Sequence, residues 1–197
     1  MTTEQYRHFS GDEAQELLAE LLRRVGGHTD IYLVGSVALA VHLANIAMTP
    51  DIDAMFGNFN QVRKVARDIA TERGLAPDWV NENVVPFIEF SPSVDDPDAT
   101  VVVLGGVRVT VASKRALLAM KMAAYRQKDR PHITDLILDL GITDPDELVK
   151  LIRHFYPEGS MVVQEDDDEL GLLAREAIRR AQVDAAKYGG PAAGQSK

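Results

Sequence analysis

Two aspartates interrupt an otherwise apolar stretch, YLVGSVALAVHLANIAMTPDIDAMF, at positions 32–56. Asp51 and Asp53 are two residues apart, and residues at that spacing on a β-strand point to the same face of the sheet. Ile52, Ala54 and Phe56 would then face the core. Two carboxylates this close repel each other unless a cation neutralises them, and a hard ion that prefers oxygen ligands, such as Mg²⁺, suits them best. The pattern therefore predicts a metal site carried by a strand.

A possible phosphate-binding turn precedes this pair in the sequence. Gly35 and Ser36 follow the β-rich run IYLV and precede the apolar helical pattern SVALAVHLAN. The first N–H groups of a helix are free and partly positive, so they favour phosphate, and glycine lets a ligand approach the backbone. A phosphate-binding turn beside a metal site is typical of phosphoryl or nucleotidyl transfer.

A single lysine lies inside the apolar run ALLAMKMAAY. Lys121 could extend its ammonium group to solvent from a partly buried helix. Alternatively, it could meet a buried anion such as a triphosphate. Asp129, eight residues later, precedes Pro131, so it suits the N-cap of the next helix as well as a polar site.

Hydrophobic periodicity and turn signals predict the elements that would position these residues. Strands are expected at 31–34, 51–56 and 86–90, with a hairpin around Gly105 and Gly106, and helices at 10–27, 36–45, 60–74, 114–126, 131–140, 144–154 and 165–188. This order predicts an α/β (α+β) fold: a mixed sheet with flanking helices, followed by a helical C-terminal part. The expected domains are 1–112 and 113–188, with a flexible tail at 189–197.

Composition places the chain among ordinary globular proteins, with 46% hydrophobic and 26% charged residues. It has no cysteine, no signal-peptide pattern and no apolar run of membrane-spanning length, so we expect a cytoplasmic protein without disulfides. The net charge of −9 argues against general nucleic-acid binding. However, segment 106–130 carries seven basic residues against one acid, which predicts one basic face.

Two stretches together, VGSVALAVHLANIAMTPDIDAMF and VASKRALLAMKMAAYRQKDRPHITDLI, resemble the AbiEii/MenT-type nucleotidyltransferases. These are toxin-side enzymes of bacterial toxin–antitoxin pairs within the nucleotidyltransferase superfamily. The resemblance covers roughly residues 30–140. It implies that Gly35 and Ser36 hold the triphosphate and that Asp51 and Asp53 ligate Mg²⁺. It also implies a phosphate contact for Lys121 and a polar site role for Asp129 or Asp135.

The activity implied by the resemblance is transfer of a nucleoside monophosphate from an NTP, with CTP or UTP favoured, to the 3′ end of tRNA. Such transfer would block translation, and a cognate antitoxin protein would be a further partner. Two alternatives stay open: nucleotidylation of a protein or small-molecule hydroxyl, and a catalytically inactive nucleotide-binding module. Three departures from the family pattern matter here. Ala47 and Met48 stand where relatives often carry arginine, His132 replaces an acid, and Glu89 is the one strand candidate for a third metal carboxylate.

Overall fold

The computed structural model of the protein describes residues 6–26, 30–43 and 48–188. The expected tail at 189–197 and the Ala47 position lie outside these residues. The chain divides into two compact units, which we describe separately. The N-terminal unit comprises Met1–Ile88 and Pro92–Ser113, and the C-terminal unit comprises Glu89–Ser91 and Lys114–Lys197.

The N-terminal unit is built on a five-stranded mixed sheet with the order β3-β2-β1-β5-β4. Its strands are β1 (Ile31–Leu33), β2 (Ile52–Phe56), β3 (Val80–Asn81), β4 (Thr100–Leu104) and β5 (Val107–Val111). The central strand, β1, runs antiparallel to β2 and parallel to β5. Leu33 is paired with Ala54, and the N–H of Val34 donates to the carbonyl of Asp53 at 3.0 Å. The carboxyl end of β1 therefore lies beside the beginning of β2.

Glycines close the hairpin that joins β4 to β5. Gly105 and Gly106 have φ values of 58° and 83°, which are left-handed conformations that glycine adopts without steric cost. The predicted hairpin is thus confirmed. The turn also lies close to the helix Gly11–Val25, because a Cβ atom added to Gly105 would be 2.2 Å from the carbonyl oxygen of Ala19.

Helices pack on this sheet. They are α1 (Gly11–Val25), α2 (Gly35–His42), α3 (Phe59–Arg73) and the short α4 (Pro92–Asp95). Ser10 caps α1, since its hydroxyl oxygen accepts a hydrogen bond from the N–H of Glu13 at 3.2 Å. The Glu13 carboxylate, in contrast, pairs with Arg7. Gly74 ends α3 in the left-handed conformation, and the helix was predicted to end at this residue.

One predicted strand is wrong. Segment 86–90 begins inside the 3-10 helix Val85–Phe87 and continues without strand pairing. Pro86 has no N–H to give to a sheet. The Glu89 carboxylate instead accepts hydrogen bonds from Ser160 and from the backbone of Met161, both in the C-terminal unit. In place of this segment, the two residues of β3 pair with β2.

The described part of the C-terminal unit is helical. Its α-helices are α5 (Lys114–Ala124), α6 (Arg130–Leu140), α7 (Pro145–Phe155) and α8 (Asp167–Tyr188). A 3-10 helix, Gln127–Asp129, connects α5 to α6. The side chain of Asp144 caps α7 by accepting from the N–H of Asp146 at 3.0 Å. Leucine and isoleucine side chains on the facing sides of these helices form the unit's apolar core.

The predicted fold class is confirmed in its architecture: a mixed five-stranded sheet with flanking helices and a helical C-terminal part. Across the described residues, none of the helices combines the length and the apolar character needed to cross a membrane.

The hairpin turn offers a matched pair of glycines for a stability test. An alanine at either position adopts a left-handed φ, which costs about 1–3 kcal/mol. At Gly106 the new methyl group meets nothing within 4 Å, whereas at Gly105 it collides with the backbone of α1. We expect Gly105→Ala to lower the free energy of unfolding by at least about 1 kcal/mol more than Gly106→Ala. Urea denaturation measures the difference, and equal losses would contradict the packing of the turn on α1.

Candidate functional site

The two aspartates lie where the sequence pattern places them. Asp51 immediately precedes β2, Asp53 is its second residue, and both are half-buried. Ile52, Ala54 and Phe56 are buried in the core. This alternation places Asp53 on the side of β2 opposite to the core, and the common direction of Asp51 and Asp53 stays a prediction.

Gly35 allows the carboxylate of Asp53 to approach the backbone closely. Its φ is 68°, and a Cβ atom at this position would be 2.8 Å from Oδ2 of Asp53. Any other residue would therefore be strained and would displace the carboxylate. The predicted turn and the predicted carboxylate pair thus meet at one edge of the sheet.

Ser36 is the second residue of α2. Val34 occupies the N-cap position and offers no side-chain cap, and the first turn contains no acidic residue. The first N–H groups of the helix therefore lack a capping acceptor of the usual kind. Together with the half-buried Ser36, they form an end of the helix that can accept a phosphate oxygen.

Thr49 positions Asp51, a role that the sequence reasoning did not assign to it. Its hydroxyl lies 3.0 Å from the carbonyl oxygen of Asp51 and 3.2 Å from Oδ1 of the same residue. Two backbone hydrogen bonds with Phe9, each 2.9 Å long, hold Thr49 itself. The signal for this role was available in the sequence, since Thr49 stands two residues before the first aspartate.

The donor chemistry of this edge fits Mg²⁺. Asp51 and Asp53 supply carboxylate oxygens, which Mg²⁺ prefers, and this ion usually completes its shell with water and substrate phosphates. Among residues 6–26, 30–43 and 48–188, no group of three or more histidine and acidic side chains is close enough to hold a metal. Glu89, the candidate for a third carboxylate, is not in a strand and makes the contacts described above. Water and phosphate would therefore have to supply the other ligands.

Lys121 is buried and paired in the C-terminal unit. Its Nζ donates to Oδ1 of Asp129 at 2.7 Å, and the two side chains are only 10% and 9% exposed. The lysine therefore does not extend to solvent. Asp129 stands at the N-cap position of α6, but its side chain makes no capping hydrogen bond. The prediction that the side chain of Asp129 caps α6 is therefore wrong.

Other charged and titratable groups surround this pair. Arg126 Nε lies 3.3 Å from Oδ2 of Asp129. Burial has the largest single effect on Asp129 and opposes its ionisation, but the hydrogen bond from Lys121 and the positive charges of Lys121, Arg126 and Lys128 together outweigh it and lower the pKa of the carboxyl. Burial, reinforced by the charge of Lys121, lowers the pKa of His132. Asp135 is exposed on α6, and partial desolvation raises its pKa against the opposing effect of His132.

An open groove of about 1120 Å³ also lies in the N-terminal unit. Its lining includes Tyr32, Met55 and Thr110 from three neighbouring strands, with Arg23 and Arg108. Neither aspartate of the pair lines it. Met55, however, follows Asp53 by two residues and so projects from the same side of β2.

Comparisons with known proteins add little to this geometry. No family model matches the sequence, and no curated protein matches it. One solved structure with a similar chain path is the crystal structure of an antigenic nucleotidyltransferase-like protein from Paracoccidioides brasiliensis. The two chains are 12% identical, the match covers 92% of this chain and 94% of that one, and the TM-score is 0.43. A likeness at this level carries no argument about activity, so the resemblance to the AbiEii/MenT group stays a prediction.

The buried pair of Lys121 and Asp129 makes a stability prediction. Lys121→Met or Asp129→Leu alone leaves one charge buried without its partner, which costs about 3–5 kcal/mol. Together the two changes replace the pair by apolar side chains, so we expect the double variant to be closer to the wild type than either single variant. Chemical denaturation of all four proteins measures this. Costs that simply add would show that the two side chains do not interact.

His132 makes a prediction about pH. Its pKa in the folded protein is below the ordinary value of 6.5, so protonation favours the unfolded chain. The stability that the neutral imidazole contributes is complete above pH 6.5 and is lost as the pH falls from there through the folded-state pKa. We expect His132→Asn to flatten this part of the stability profile. His154→Asn, at an exposed histidine, is the control, and an unchanged slope in His132→Asn would contradict the assignment.

Proposed function

We propose that the protein is a Mg²⁺-dependent nucleotidyltransferase that transfers a nucleoside monophosphate from CTP or UTP to the 3′ end of tRNA. The observation that carries the proposal is the contact between Gly35 and Asp53. It brings Asp53, at the beginning of β2, and the N-terminus of α2 to the same end of neighbouring strands, and Asp51 immediately precedes β2.

Each residue of this edge has a task in that reaction. Asp51 and Asp53 would hold Mg²⁺, which when bound neutralises phosphate charge and steadies the leaving pyrophosphate. Thr49 fixes the Asp51 carboxylate. The first N–H groups of α2 and the hydroxyl of Ser36 would donate to phosphate oxygens. The oxygen of the acceptor hydroxyl forms a bond to the α-phosphorus and releases its proton to water, the α–β anhydride bond breaks, and pyrophosphate leaves.

The C-terminal unit carries a candidate phosphate contact among its own residues. We propose that Lys121 binds a phosphate, with Asp129 holding its ammonium group in place. Asp135 is the weaker candidate because it is exposed. The basic segment 106–130 favours an RNA acceptor over a protein or small molecule, since a polyanion rewards clustered cations. A cognate antitoxin protein would belong to the same proposal.

Nucleotide transfer is tested by incubating the protein with each α-labelled NTP, Mg²⁺ and total tRNA. We expect labelled tRNA with CTP or UTP. Loss of an outer-shell partner of a metal ligand typically reduces activity by about 10–100-fold. Asp53→Asn changes a proposed metal ligand itself, so it should reduce labelling by more than that. Its thermal stability should not fall, because removing one of two like charges relieves their repulsion.

The matched control is Asp68→Asn, which changes an exposed aspartate on α3 and should leave labelling unaffected. If none of the four NTPs gives labelled tRNA, tRNA is not the acceptor and that part of the proposal is wrong. If the label instead appears on a protein when a cell lysate is added, the acceptor is a protein hydroxyl.

The second candidate is a nucleotide-binding module that does not turn over. The limited donor set favours it, because within the described residues two carboxylates have no third acidic or histidine ligand beside them. Mg²⁺-dependent binding of an NTP with no labelled product from any acceptor would establish this alternative.

A further inference from the structure

The outer strand of the sheet is unpaired along one side. β4 stands at the end of the strand order, so β5 is its one neighbouring strand among the described residues. Its sequence, TVVVL, contains no charge and no proline, and no bulge interrupts its register with β5. Folded proteins usually protect such an edge with lysine, proline or a bulge, because a free edge pairs readily with another chain. β4 has none of these protections.

The neighbouring strand shows how the backbone groups of β4 are oriented. The N–H of Ala112, just after β5, donates to the carbonyl of Leu33 in β1 at 2.9 Å. Successive N–H groups of a strand point to opposite sides, so the N–H of Val111 points to β4. Val111 is paired with Thr100. These two residues therefore form a hydrogen-bonded pair of the ladder.

Two residues of β4 turn their backbone groups away from the sheet. Hydrogen-bonded and non-hydrogen-bonded pairs alternate along an antiparallel ladder. Counted from Thr100, Val102 and Leu104 also bond to β5, whereas the N–H and C=O groups of Val101 and Val103 point outward. The same two valines are 45% and 65% exposed. Four backbone groups are therefore accessible, at the spacing that a further β-strand matches.

Two exposed arginines lie beside this free edge. Arg108 is the cross-strand partner of Val103, so both side chains project from the same face of the sheet. Arg23 lies at the hairpin turn, where a Cβ atom added to Gly105 would be 3.1 Å from its Cγ. Within the described residues, neither arginine forms an ion pair. The hairpin end of the edge therefore favours an acidic partner.

The face that carries Arg108 also lines the open groove described above. A strand added to β4 would place every second side chain over this face. Neighbouring strands are about 4.8 Å apart, so the added strand would lie roughly 10 Å from β5. An acid opposite Val103 would therefore be within reach of the long Arg108 side chain. Asp30, an acid of the same lining, precedes β1 and lies two strands away from β4.

We propose that β4 is the docking site of a partner protein that adds an extended, acid-bearing segment to the sheet. The backbone of this segment bonds to the outward N–H and C=O groups of Val101 and Val103, as in other complexes formed by strand addition. A glutamate or aspartate on the groove side pairs with Arg108. A second copy of β4 makes the same backbone bonds but brings no acid to this arginine, since TVVVL has none. This docking does not depend on the proposed nucleotide transfer.

The charge preference is tested by titrating the full chain with two synthetic peptides. In one peptide valine alternates with glutamate, and in the other valine alternates with lysine. We expect the glutamate peptide to bind at least about tenfold more tightly, because a charge-assisted hydrogen bond to Arg108 replaces a repulsion. Arg108→Glu should reverse this preference. Lys64→Glu, an equal charge reversal at an exposed position of α3, is the matched control and should leave the preference unchanged.

The backbone contacts are tested by amide hydrogen exchange measured by NMR. In the free protein the N–H groups of Val101 and Val103 should exchange quickly, whereas that of Val102, which bonds to β5, should be protected. When the glutamate peptide occupies about nine-tenths of the protein, exchange at Val101 and Val103 should slow about tenfold, because it then occurs only from the free fraction. Exchange at Val102 is the internal control.

Proline substitutions separate docking from folding. Val103→Pro removes an N–H that points outward, a position at which edge strands tolerate proline, so its thermal stability should stay near that of the wild type. Its affinity for the glutamate peptide should fall about tenfold, since one hydrogen bond is lost and the ring obstructs the added strand. Val102→Pro removes an N–H that bonds to β5 and should be clearly less stable than Val103→Pro.

Three results would overturn the proposal. The first is no binding of the glutamate peptide at about 1 mM, or equal binding of both peptides. The second is unchanged exchange at Val101 and Val103 when the peptide is bound. The third is a dimer of the wild type that Val103→Pro dissociates, because the edge then belongs to a second copy. Binding of a short RNA through Arg108, without any binding of the peptide, would likewise assign this arginine to RNA and overturn the docking.

Discussion

The absence of a side chain at position 35 is the constraint on which the candidate site depends. β1 and β2 are antiparallel neighbours, so the residues that follow β1 lie beside those that begin β2. The backbone of Asp53 bonds to Val34, and its carboxylate lies beside the next residue along the chain, where a Cβ atom would normally stand. At Gly35 there is none, and the Asp53 carboxylate occupies the space. The same residue begins α2, so one glycine determines both how close the acid lies and where the helix N–H groups begin.

The two units differ in how the charges of their buried side chains are neutralised. In the N-terminal unit the two acids of one sign lie together and are half-buried, an arrangement that gains from a cation in solution. In the C-terminal unit the charges of Lys121 and Asp129 compensate each other inside the protein, and the pair is almost fully buried. A compensated pair needs no ion, but its cost is offset only while both partners are held in good geometry. The turn between α5 and α6 supplies that geometry at the expense of a strained backbone, since Tyr125 has a φ of 37°.

Much of this could be predicted from the sequence because it depends on local signals. The alternation around Ile52, the capping serine of α1 and the glycine pair of the hairpin are each encoded within a few residues. The strand predicted at 86–90 is wrong because apolar residues alone suggested it. Pro86 has no N–H for a sheet, and Glu89 binds residues far along the chain, such as Met161. The pairing of Lys121 with Asp129 and the positive φ of Tyr125 depend on how α5 and α6 pack. No periodicity encodes that packing.

The three residues Glu89–Ser91 belong to the C-terminal unit although the chain around them belongs to the other one. Phe90 packs edge-on against Phe155 at 4.9 Å between ring centres, and Glu89 anchors the loop after α7. A fragment that starts at Lys114 would therefore lack an aromatic residue of its own interior and would expose the ring of Phe155. During synthesis, the helical part has to recruit a piece of chain that left the ribosome well before it. The two units are interleaved along the chain, so a continuous segment that contains all of one unit also carries residues of the other.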